Sequence, residues 1–336
     1  MKKVLVLVHQ TANRPAPYFD RLREAGFEVV HSGLNRLPTE DELIALLPGV
    51  YATIAGGEPY TERVFASTKD LKVVARFGVG YDQVDVAAAT RHGVAVAMAF
   101  GGNHESVADG AFALMAAAAT DLPNKHALVV SGGWGNGFHT GLWKKTLGII
   151  GMGRIGRALA RRCSRGFDMR VLAYDPMPDT VYAAANSIEL TDLETLLRTA
   201  DFVSLHIPHI KENEKFMNAG KLALMKPSAF LVNTARGVLV DEDALYEALS
   251  QRRIAGAALD VYAKEPPVGS PLLKLDNVAF LPHSSGMDDN GEVGMVTKCI
   301  DAILAYSGGM HPGQEYVLNP SVIPSTFKPA QPGETA

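Results

Sequence analysis

The stretch Leu147-Gly-Ile-Ile-Gly151-Met-Gly153-Arg-Ile-Gly156 decides how the surrounding chain folds. An apolar run ends here at three glycines spaced G-x-G-x-x-G, and residues 157–162 continue with a helical composition. In this pattern the first glycine allows a tight turn, the second lets a pyrophosphate approach bare backbone, and the third lets a helix pack closely on the sheet. The phosphates then lie at the N-terminal amides of the helix. The stretch therefore predicts a dinucleotide-binding strand–turn–helix unit.

A second apolar run, residues 170–174, follows and ends at Asp175. In dinucleotide-binding domains, an acid roughly 20 residues after the first glycine accepts a hydrogen bond from the ribose 2′-hydroxyl of adenosine. Asp175 has no arginine beside it, and its carboxylate would repel a 2′-phosphate. We therefore predict NAD rather than NADP as the cofactor. The alternative is a glycine-rich turn without a ligand; the second apolar run and its acid favour the dinucleotide site over it.

Length and composition narrow the class of protein. At 336 residues the chain exceeds the usual size of one domain, so two domains are expected. The composition is ordinary for a globular protein, and no apolar run approaches the roughly 18 residues of a membrane-spanning helix. The net charge of -4 gives no electrostatic reason to expect nucleic acid or an anionic membrane as a partner.

Other signals indicate a cytoplasmic location. The two cysteines, Cys163 and Cys299, are too few for a disulfide framework or a zinc site, and we expect them to pack inside helices. No metal site is therefore expected. The apolar residues 4–8 are too few for a signal-peptide core and lack a cleavage site, so they are predicted to form a buried strand.

Strands and helices alternate along most of the chain, which favours an α/β fold. Residues 103–119 predict a long alanine-rich helix suited to a domain connection or a dimer interface, and the glycine-rich loop 131–145 predicts a folded-over arm. Short apolar runs suited to a parallel sheet occur at residues 4–8, 27–30, 52–55, 71–75, 94–97, 202–205, 229–232, 255–259 and 278–280.

Polar residues follow the later strands. They are His206, Asn233 to Arg236, Asp260 and His283. Because ligands of open parallel sheets bind outside the carboxyl ends of the strands, we expect these side chains to converge on one crevice.

Three residues near this crevice suit carbonyl chemistry. Arg236 is suited to binding a carboxylate or carbonyl oxygen, although an arginine paired to a structural acid is the alternative. His283 is a candidate general acid and base, and Glu265, in a proline-containing loop, is available to fix its tautomer. A single histidine is more often structural than catalytic. Hydride transfer to a carbonyl requires a proton donor and a cation at the oxygen, and this set supplies both.

Several ordered motifs resemble those of one protein family. Besides the glycine fingerprint, they are Arg76-Phe-Gly-Val-Gly-Tyr-Asp82, His206-Ile-Pro208, Asn233-Thr-Ala-Arg-Gly237, Ala258-Leu-Asp-Val-Tyr-Ala-Lys-Glu-Pro266 and Pro282-His-Ser-Ser-Gly286. The chain resembles the D-isomer-specific 2-hydroxyacid dehydrogenases, the family that includes D-3-phosphoglycerate dehydrogenase. The resemblance covers nearly the whole chain and is strongest from about residue 71 to residue 319.

The resemblance implies a role for each matching residue. Arg236 would bind and polarise a 2-keto acid, His283 would transfer the proton, and Glu265 would be its partner carboxylate. The backbone amides of Val79 and Gly80 would bind the substrate carboxylate. The implied NAD-binding residues are Gly151, Gly153, Arg154, Ile155 and Gly156 at the pyrophosphate, Asp175 at the ribose, His206, Ile207 and Pro208 at the adenine side, and Thr234, Ala235, Arg236, Asp260, His283 and Gly286 around the nicotinamide.

The family fold implies two doubly wound parallel-sheet domains. A flavodoxin-like substrate-binding domain would comprise residues 1–99 and 287–325, and a Rossmann NAD-binding domain residues 100–286, with a tail at 326–336. A homodimer through the NAD-binding domain is expected. The regulatory domain that follows the fold in longer phosphoglycerate dehydrogenases is not expected here.

The implied function is NAD-dependent hydride transfer to or from C2 of a D-2-hydroxy acid. The substrate would be phosphoglycerate-like or hydroxypyruvate/glyoxylate-like. Two alternatives stay open: a phosphite-type oxidoreductase on the same fold, and an NADH-sensing binding protein like the family's transcriptional corepressors, which retain the same three residues.

Overall fold

The computed structural model describes residues 1–8, 11, 17–135 and 137–329, and it divides into two compact units. Unit 1 comprises residues 1–103 and the described part of 289–336, and unit 2 comprises His104–Asp288. Each unit contains one parallel β-sheet with buried apolar clusters on its two faces. The predicted fold class, two doubly wound α/β domains, is confirmed. The roles of the units in binding substrate and NAD stay predictions.

Unit 1 is built on a five-stranded sheet with the flavodoxin-like order β2-β1-β3-β4-β5. Alternate residues of β1 point to opposite faces, with Val4 and Val6 in one cluster and Leu5 in the other. Both faces are buried, which explains the continuous apolar runs in the sequence. The strands are β1 (Lys2–Val6), β2 (Phe27–His31), β3 (Val50–Ala55), β4 (Val73–Arg76) and β5 (Ala95–Met98), and the helices are α1 (Pro17–Glu24), α2 (Glu40–Leu46), α3 (Glu62–Ala66), α4 (Val86–Arg91) and, from the later part of the chain, α12 (Asp289–Ser307).

Unit 2 contains a seven-stranded parallel sheet. Its strands are β6 (Thr146–Ile150), β7 (Arg170–Tyr174), β8 (Ile188–Leu190), β9 (Phe202–Leu205), β10 (Phe230–Asn233), β11 (Gly256–Leu259) and β12 (Val278–Phe280). The order β8-β7-β6-β9-β10-β11 is that of the Rossmann fold, and β12 extends it by one strand. The helices are α5 (His104–Thr120), α6 (Leu122–Val130), α7 (Arg154–Phe167), α8 (Thr180–Ala185), α9 (Leu193–Thr199), α10 (Ala219–Leu222) and α11 (Glu242–Ser250).

Two local features differ from expectation. Strand β8 was not predicted, because it has three residues and only the first is buried, which is too short for an alternating pattern. The tail expected from residue 326 begins inside unit 1. The Lys328 amide donates to the Gly309 carbonyl at 3.0 Å, and the Phe327 ring packs against Tyr306 with centroids 5.2 Å apart. Packing of this partly buried ring and the hydrogen bond of Lys328 hold residues 327–328 on the unit. Residues 330–336 lie outside the described part of the chain.

Candidate active site

The glycine loop lies between β6 and β9, where the order of strands reverses in the unit 2 sheet. Gly151 has a φ of +100°, and a Cβ atom there would lie 2.6 Å from the His206 carbonyl oxygen. A Cβ atom at Gly156 would lie 2.3 Å from the Gly151 carbonyl oxygen. Both positions require glycine, because backbone atoms already occupy the space of a side chain. The glycines therefore hold β6, the turn and α7 in close contact.

The N-terminus of α7 forms a cradle for an anion. Gly153 precedes the helix, is exposed, and has no heavy atom within 4 Å of the place its Cβ would take. In the part of the chain that the structure describes, the N-cap of this helix has no side-chain hydrogen bond. A ligand can therefore approach the amides of the first turn of α7, and the helix dipole favours negative charge at this end. The cradle suits the pyrophosphate of a dinucleotide.

Asp175, predicted to lie at the ribose, also anchors the glycine loop. Its Oδ2 accepts a hydrogen bond from the Met152 amide at 2.8 Å, and its Oδ1 accepts one from the Met177 amide at 2.9 Å. Each carboxylate oxygen retains a further acceptor site for a ribose hydroxyl. The spacing from Gly151 predicts only the ligand role of Asp175 and not this structural one.

Arg157 braces the same loop and was missed by the sequence analysis. Its Nε donates to the Met152 carbonyl at 2.9 Å, and its Nη2 donates to Asp179 Oδ2 at 3.0 Å. The guanidinium also stacks on Tyr182, 4.1 Å from the ring centroid. The carboxylate partner lies 22 residues away along the chain, and no spacing rule predicts such a pair.

The end of β9 presents an uncharged surface beside the glycine loop. The His206 amide donates to the Ile150 carbonyl at 2.7 Å, and its Nε2 lies 2.9 Å from Ser204 Oγ. Desolvation lowers the pKa of His206 to about 4, so the imidazole is neutral at neutral pH. Ile207 is buried and Pro208 is exposed.

The turn after β10 sets the position of Arg236. The Asn233 side chain holds the turn, since its Oδ1 accepts from the Ala235 amide at 3.0 Å and its Nδ2 donates to the Arg236 carbonyl at 2.8 Å. Arg236 is partly buried, and its Nη1 donates to the Ala235 carbonyl at 2.6 Å. A Cβ atom at Gly237 would lie 1.8 Å from the carbonyl carbon of Tyr262. Only glycine therefore lets this turn pass the loop that follows β11.

Asp260 fixes the loop that carries His283. Asp260 is 2% exposed, and its two oxygens accept hydrogen bonds from the amides of Ser284 at 2.7 Å and Ser285 at 3.0 Å. The His283 amide donates to the Asp260 carbonyl at 2.8 Å. His283 itself has a φ of +54°, in the left-handed region, and these hydrogen bonds maintain that conformation.

The imidazole of His283 pairs with the carboxylate of Glu265. Nδ1 of His283 lies 2.7 Å from Oε2 of Glu265, and Oε1 accepts the Tyr262 amide at 3.1 Å. Desolvation acts to raise the pKa of Glu265, but the hydrogen bond and charge of His283, the Tyr262 amide and the charge of Arg236 outweigh it and lower this pKa. An ionised carboxylate accepts hydrogen bonds only, so we assign a proton to Nδ1, which leaves Nε2 for chemistry.

Val79 and Gly80 lie in unit 1, in the loop after β4, and both are partly buried. Arg76 braces this loop through a hydrogen bond from its Nη1 to the Phe77 carbonyl. Nearby, Glu58 is 1% exposed; its Oε1 accepts the Gly56 amide at 3.0 Å, and desolvation raises its pKa. No motif in the sequence singles out Glu58. The binding of a substrate carboxylate by Val79 and Gly80 stays a prediction.

The residues at the carboxyl edge of unit 2 fit NAD. Thr234 is 8% exposed, and its hydroxyl oxygen has no hydrogen-bond partner among the described residues, so it is available to a polar ligand. The cradle at Gly153 suits the pyrophosphate, and the carboxylate of Asp175 suits a 2′-hydroxyl more than a 2′-phosphate. Among the described residues, no group of three His, Cys, Asp or Glu side chains is placed to hold a metal ion. None of the described helices is long and apolar enough to cross a membrane.

This combination of sheet order, glycine loop and carboxyl-edge residues defines a Rossmann-type dinucleotide-binding protein. Residues 112–285 match the family model for the NAD-binding domain of D-isomer specific 2-hydroxyacid dehydrogenases. A D-3-phosphoglycerate dehydrogenase of Archaeoglobus fulgidus is 38% identical over 96% of this chain, which spans 61% of that relative. A glyoxylate reductase of Korarchaeum cryptofilum is 38% identical over 83% of each chain.

A solved structure of a protein from Thermus thermophilus is similar over 94% of this chain and 99% of that one, with a TM-score of 0.84 and 36% identity. The family model covers more than half of the chain, and a relative at 38% identity matches over most of its own length. The chain belongs to the D-isomer-specific 2-hydroxyacid dehydrogenase family and carries the NAD-binding domain of that family.

Proposed function

We propose that this protein is an NAD-dependent oxidoreductase that interconverts a D-2-hydroxy acid and its 2-keto acid. The observation that carries the proposal is the 2.7 Å contact between His283 Nδ1 and Glu265 Oε2 at the carboxyl edge of the NAD-binding sheet. A histidine whose Nδ1 is held by a carboxylate can present Nε2 as a general acid and base. It lies on the same sheet edge as the cradle for the dinucleotide, where proton and hydride transfer can be combined.

Bound NAD supplies the hydride acceptor or donor at its nicotinamide ring. The residues of this chain manage the proton and the charge. In reduction, Nε2 of protonated His283 donates its proton to the carbonyl oxygen as that oxygen gains charge. The ionised Glu265 stabilises the imidazolium before the transfer and keeps the remaining proton on Nδ1 afterwards. In oxidation, neutral Nε2 removes the hydroxyl proton.

Arg236 is proposed to bind the carboxylate and carbonyl oxygens of the substrate. Its guanidinium carries a permanent charge and several donors in one plane, which match such oxygens. The Asn233 side chain bonds to the Ala235 amide and to the Arg236 carbonyl. The Arg236 side chain therefore extends from a turn whose backbone is fixed. The amides of Val79 and Gly80 are proposed as further donors to the substrate carboxylate. Asp260, Thr234 and Gly286 are proposed to shape the nicotinamide site.

The substrate is proposed to be of the phosphoglycerate or the hydroxypyruvate/glyoxylate type. The names of the two curated relatives support these two classes equally, since both are 38% identical to this chain. The test is NADH and NADPH oxidation by the purified full chain with glyoxylate, hydroxypyruvate, phosphohydroxypyruvate and larger 2-keto acids. We expect turnover of at least one acid with NADH. The reverse reaction should use the D-hydroxy acid and leave its L-enantiomer unchanged.

If none of these 2-keto acids is turned over while NADH still binds, the proposed reaction is overturned. A phosphite assay with NAD would then separate a phosphite oxidoreductase from a non-catalytic NADH-binding protein.

We further propose that two copies of the chain associate through the NAD-binding domain. Helix α6 buries no residue, and it and the following arm expose large apolar side chains. These residues are Leu122, Leu128, Val129, Val130, Trp134, Phe138 and Trp143. Exposed apolar patches of this kind mark association surfaces. Sedimentation should give the mass of a dimer, Val130→Glu should give a monomer, and Val268→Glu, at another exposed valine, should leave the dimer intact.

A cytoplasmic location is proposed on the state of the thiols. Cys163 and Cys299 are free and buried, and burial raises the pKa of each to about 12. Such thiols neither form disulfides nor react readily, as is usual in a reducing compartment. Cell fractionation of the host organism, with the chain found outside the cytoplasmic fraction, would contradict this.

A further inference from the structure

An open surface cavity of about 320 Å³ lies in unit 2 away from the dinucleotide cradle. It is lined by the second half of α7 and by the segment that joins α8 to β8. Ser187 directly precedes β8, so the cavity lies at the amino edge of the sheet, whereas the glycine loop follows the carboxyl end of β6. Arg161 and Arg165 stand two to three turns beyond Gly153 on α7, which is roughly 12 to 18 Å at 1.5 Å per residue. The cavity is therefore separate from the cofactor site.

The charge on α7 is unusually one-sided. The helix contains five arginines and no acidic residue. Arg161 Nη2 pairs with Glu105 Oε1 at 2.5 Å, and Glu105 is shared with Arg162. Arg165 is exposed and has no ion-pair partner among the described residues. Arg161 and Arg165 are one turn apart and both line the cavity. Glu105 compensates the charge of Arg161, so the charge of Arg165 is the one left for an anion.

Neutral donors complete the lining. The hydroxyls of Ser164 and Ser187 make no hydrogen bond within the part of the chain that the structure describes, and both line the cavity. Asn186, beside them, uses its Nδ2 to donate to the Tyr182 carbonyl at 2.9 Å, which fixes this wall. Arginine forks together with hydroxyl donors are the chemistry of phosphate recognition. The volume lies at the lower end of small-ligand pockets, which leaves space beyond a bare phosphate.

We propose that this cavity binds a phosphate group, either as inorganic phosphate or as the monoester of a small metabolite. The test is calorimetric titration of the full chain, saturated with NADH so that the pyrophosphate cradle is occupied, at constant ionic strength. One ligand is inorganic phosphate and the other is glycerol phosphate. Tighter binding of glycerol phosphate would identify a monoester as the ligand, and equal binding would identify inorganic phosphate.

The variant Arg165→Gln should weaken phosphate binding by about tenfold or more, since it removes a charged donor. The matched control is Arg198→Gln on α9, where the arginine is exposed and pairs with Glu194 at 2.9 Å. This control should bind phosphate like the original chain. Undiminished binding in Arg165→Gln, an equal loss in Arg198→Gln, or no binding to the original chain would each overturn the proposal. Because this comparison of variants measures phosphate binding and not turnover, its result does not depend on the proposed reaction.

Discussion

His283 Nδ1 and Glu265 Oε2 lie 2.7 Å apart, although the two residues are 18 positions apart in the chain and stand on different loops. Each loop is fixed by its own backbone contacts. The Tyr262 amide donates a hydrogen bond to Glu265. Asp260 accepts hydrogen bonds from the amides of His283 and Ser284. Because β11 and β12 are neighbours, their carboxyl ends bring these loops together.

The variant His283→Ala should reduce turnover by at least about a hundredfold, the usual contribution of a general acid–base group. NADH affinity should change little, because the cradle at Gly153 and the carboxylate of Asp175 are untouched. Steady-state kinetics and a fluorescence titration with NADH measure the two quantities. An unchanged rate would remove the proton-transfer role from His283.

The variant Glu265→Gln should retain the hydrogen bond to His283 but lose the negative charge that stabilises the imidazolium. Activity in the reduction direction should then be lost at a lower pH than in the original enzyme. Any loss of activity on the low-pH side of the profile should not arise from protonation of Glu265, since the pKa of this carboxyl is already lowered below its ordinary value. The pH dependence of kcat/KM checks both statements, and identical profiles for the two proteins would contradict the pairing role.

The variant Asp175→Ala should relax the preference for NADH over NADPH, because it removes the charge that repels a 2′-phosphate. It should also weaken binding of both cofactors, since Asp175 holds the amides of Met152 and Met177 at the loop. Measuring kcat/KM with each cofactor separates the two effects. If the original enzyme already prefers NADPH, the assignment of Asp175 to the 2′-hydroxyl is wrong.

The variant Gly237→Ala should destabilise the protein by about 3 kcal/mol or more, because overpacking at 1.8 Å from Tyr262 forces the backbone to move. The control is Gly166→Ala inside α7, where nothing lies within 4 Å of the new methyl group. That change should stabilise by roughly 0.5 to 1 kcal/mol, the difference in helix propensity. Chemical denaturation of both variants measures the free energy of unfolding. A tolerated Gly237→Ala would show that the turn after β10 is not tightly packed.

The desolvated imidazole of His206 should make the protein sensitive to acid. Its pKa is lowered from 6.5 to about 4 in the folded state, so between these values the unfolded chain binds a proton that the folded chain does not. The free energy of unfolding should therefore fall as the pH drops from about 6.5 to about 4, by roughly 3 kcal/mol at 1.36 kcal/mol per pKa unit. In His206→Gln this part of the slope should disappear, whatever the absolute stability of the variant. Equal slopes in the two proteins would show that His206 keeps its ordinary titration.

Much of the fold could be predicted from local pattern. The apolar runs located most strands because parallel strands buried on both faces read as continuous hydrophobic segments. The G-x-G-x-x-G spacing located the turn between β6 and α7, because the left-handed φ of Gly151 and the close approach of Gly156 to the Gly151 carbonyl arise within the loop itself. Strand β8 could not be predicted, because only one of its three side chains is buried and so short a segment shows no hydrophobic periodicity.

The sequence predicted which types of residue form the candidate site, but it did not predict the hydrogen bonds that hold them in position. The sequence by itself determined which chemistry the strand ends carry: an arginine, a carboxylate and a histidine placed after successive strands. Only the tertiary structure decided that Asp260 brackets the His283 loop, that Asn233 holds the turn of Arg236, and that Asp175 anchors the glycine loop. Some of these contacts join segments that are distant in the chain, and others depend on the direction of the backbone in a turn. They form only when the parallel strands set their carboxyl ends side by side, which no local pattern of residues specifies.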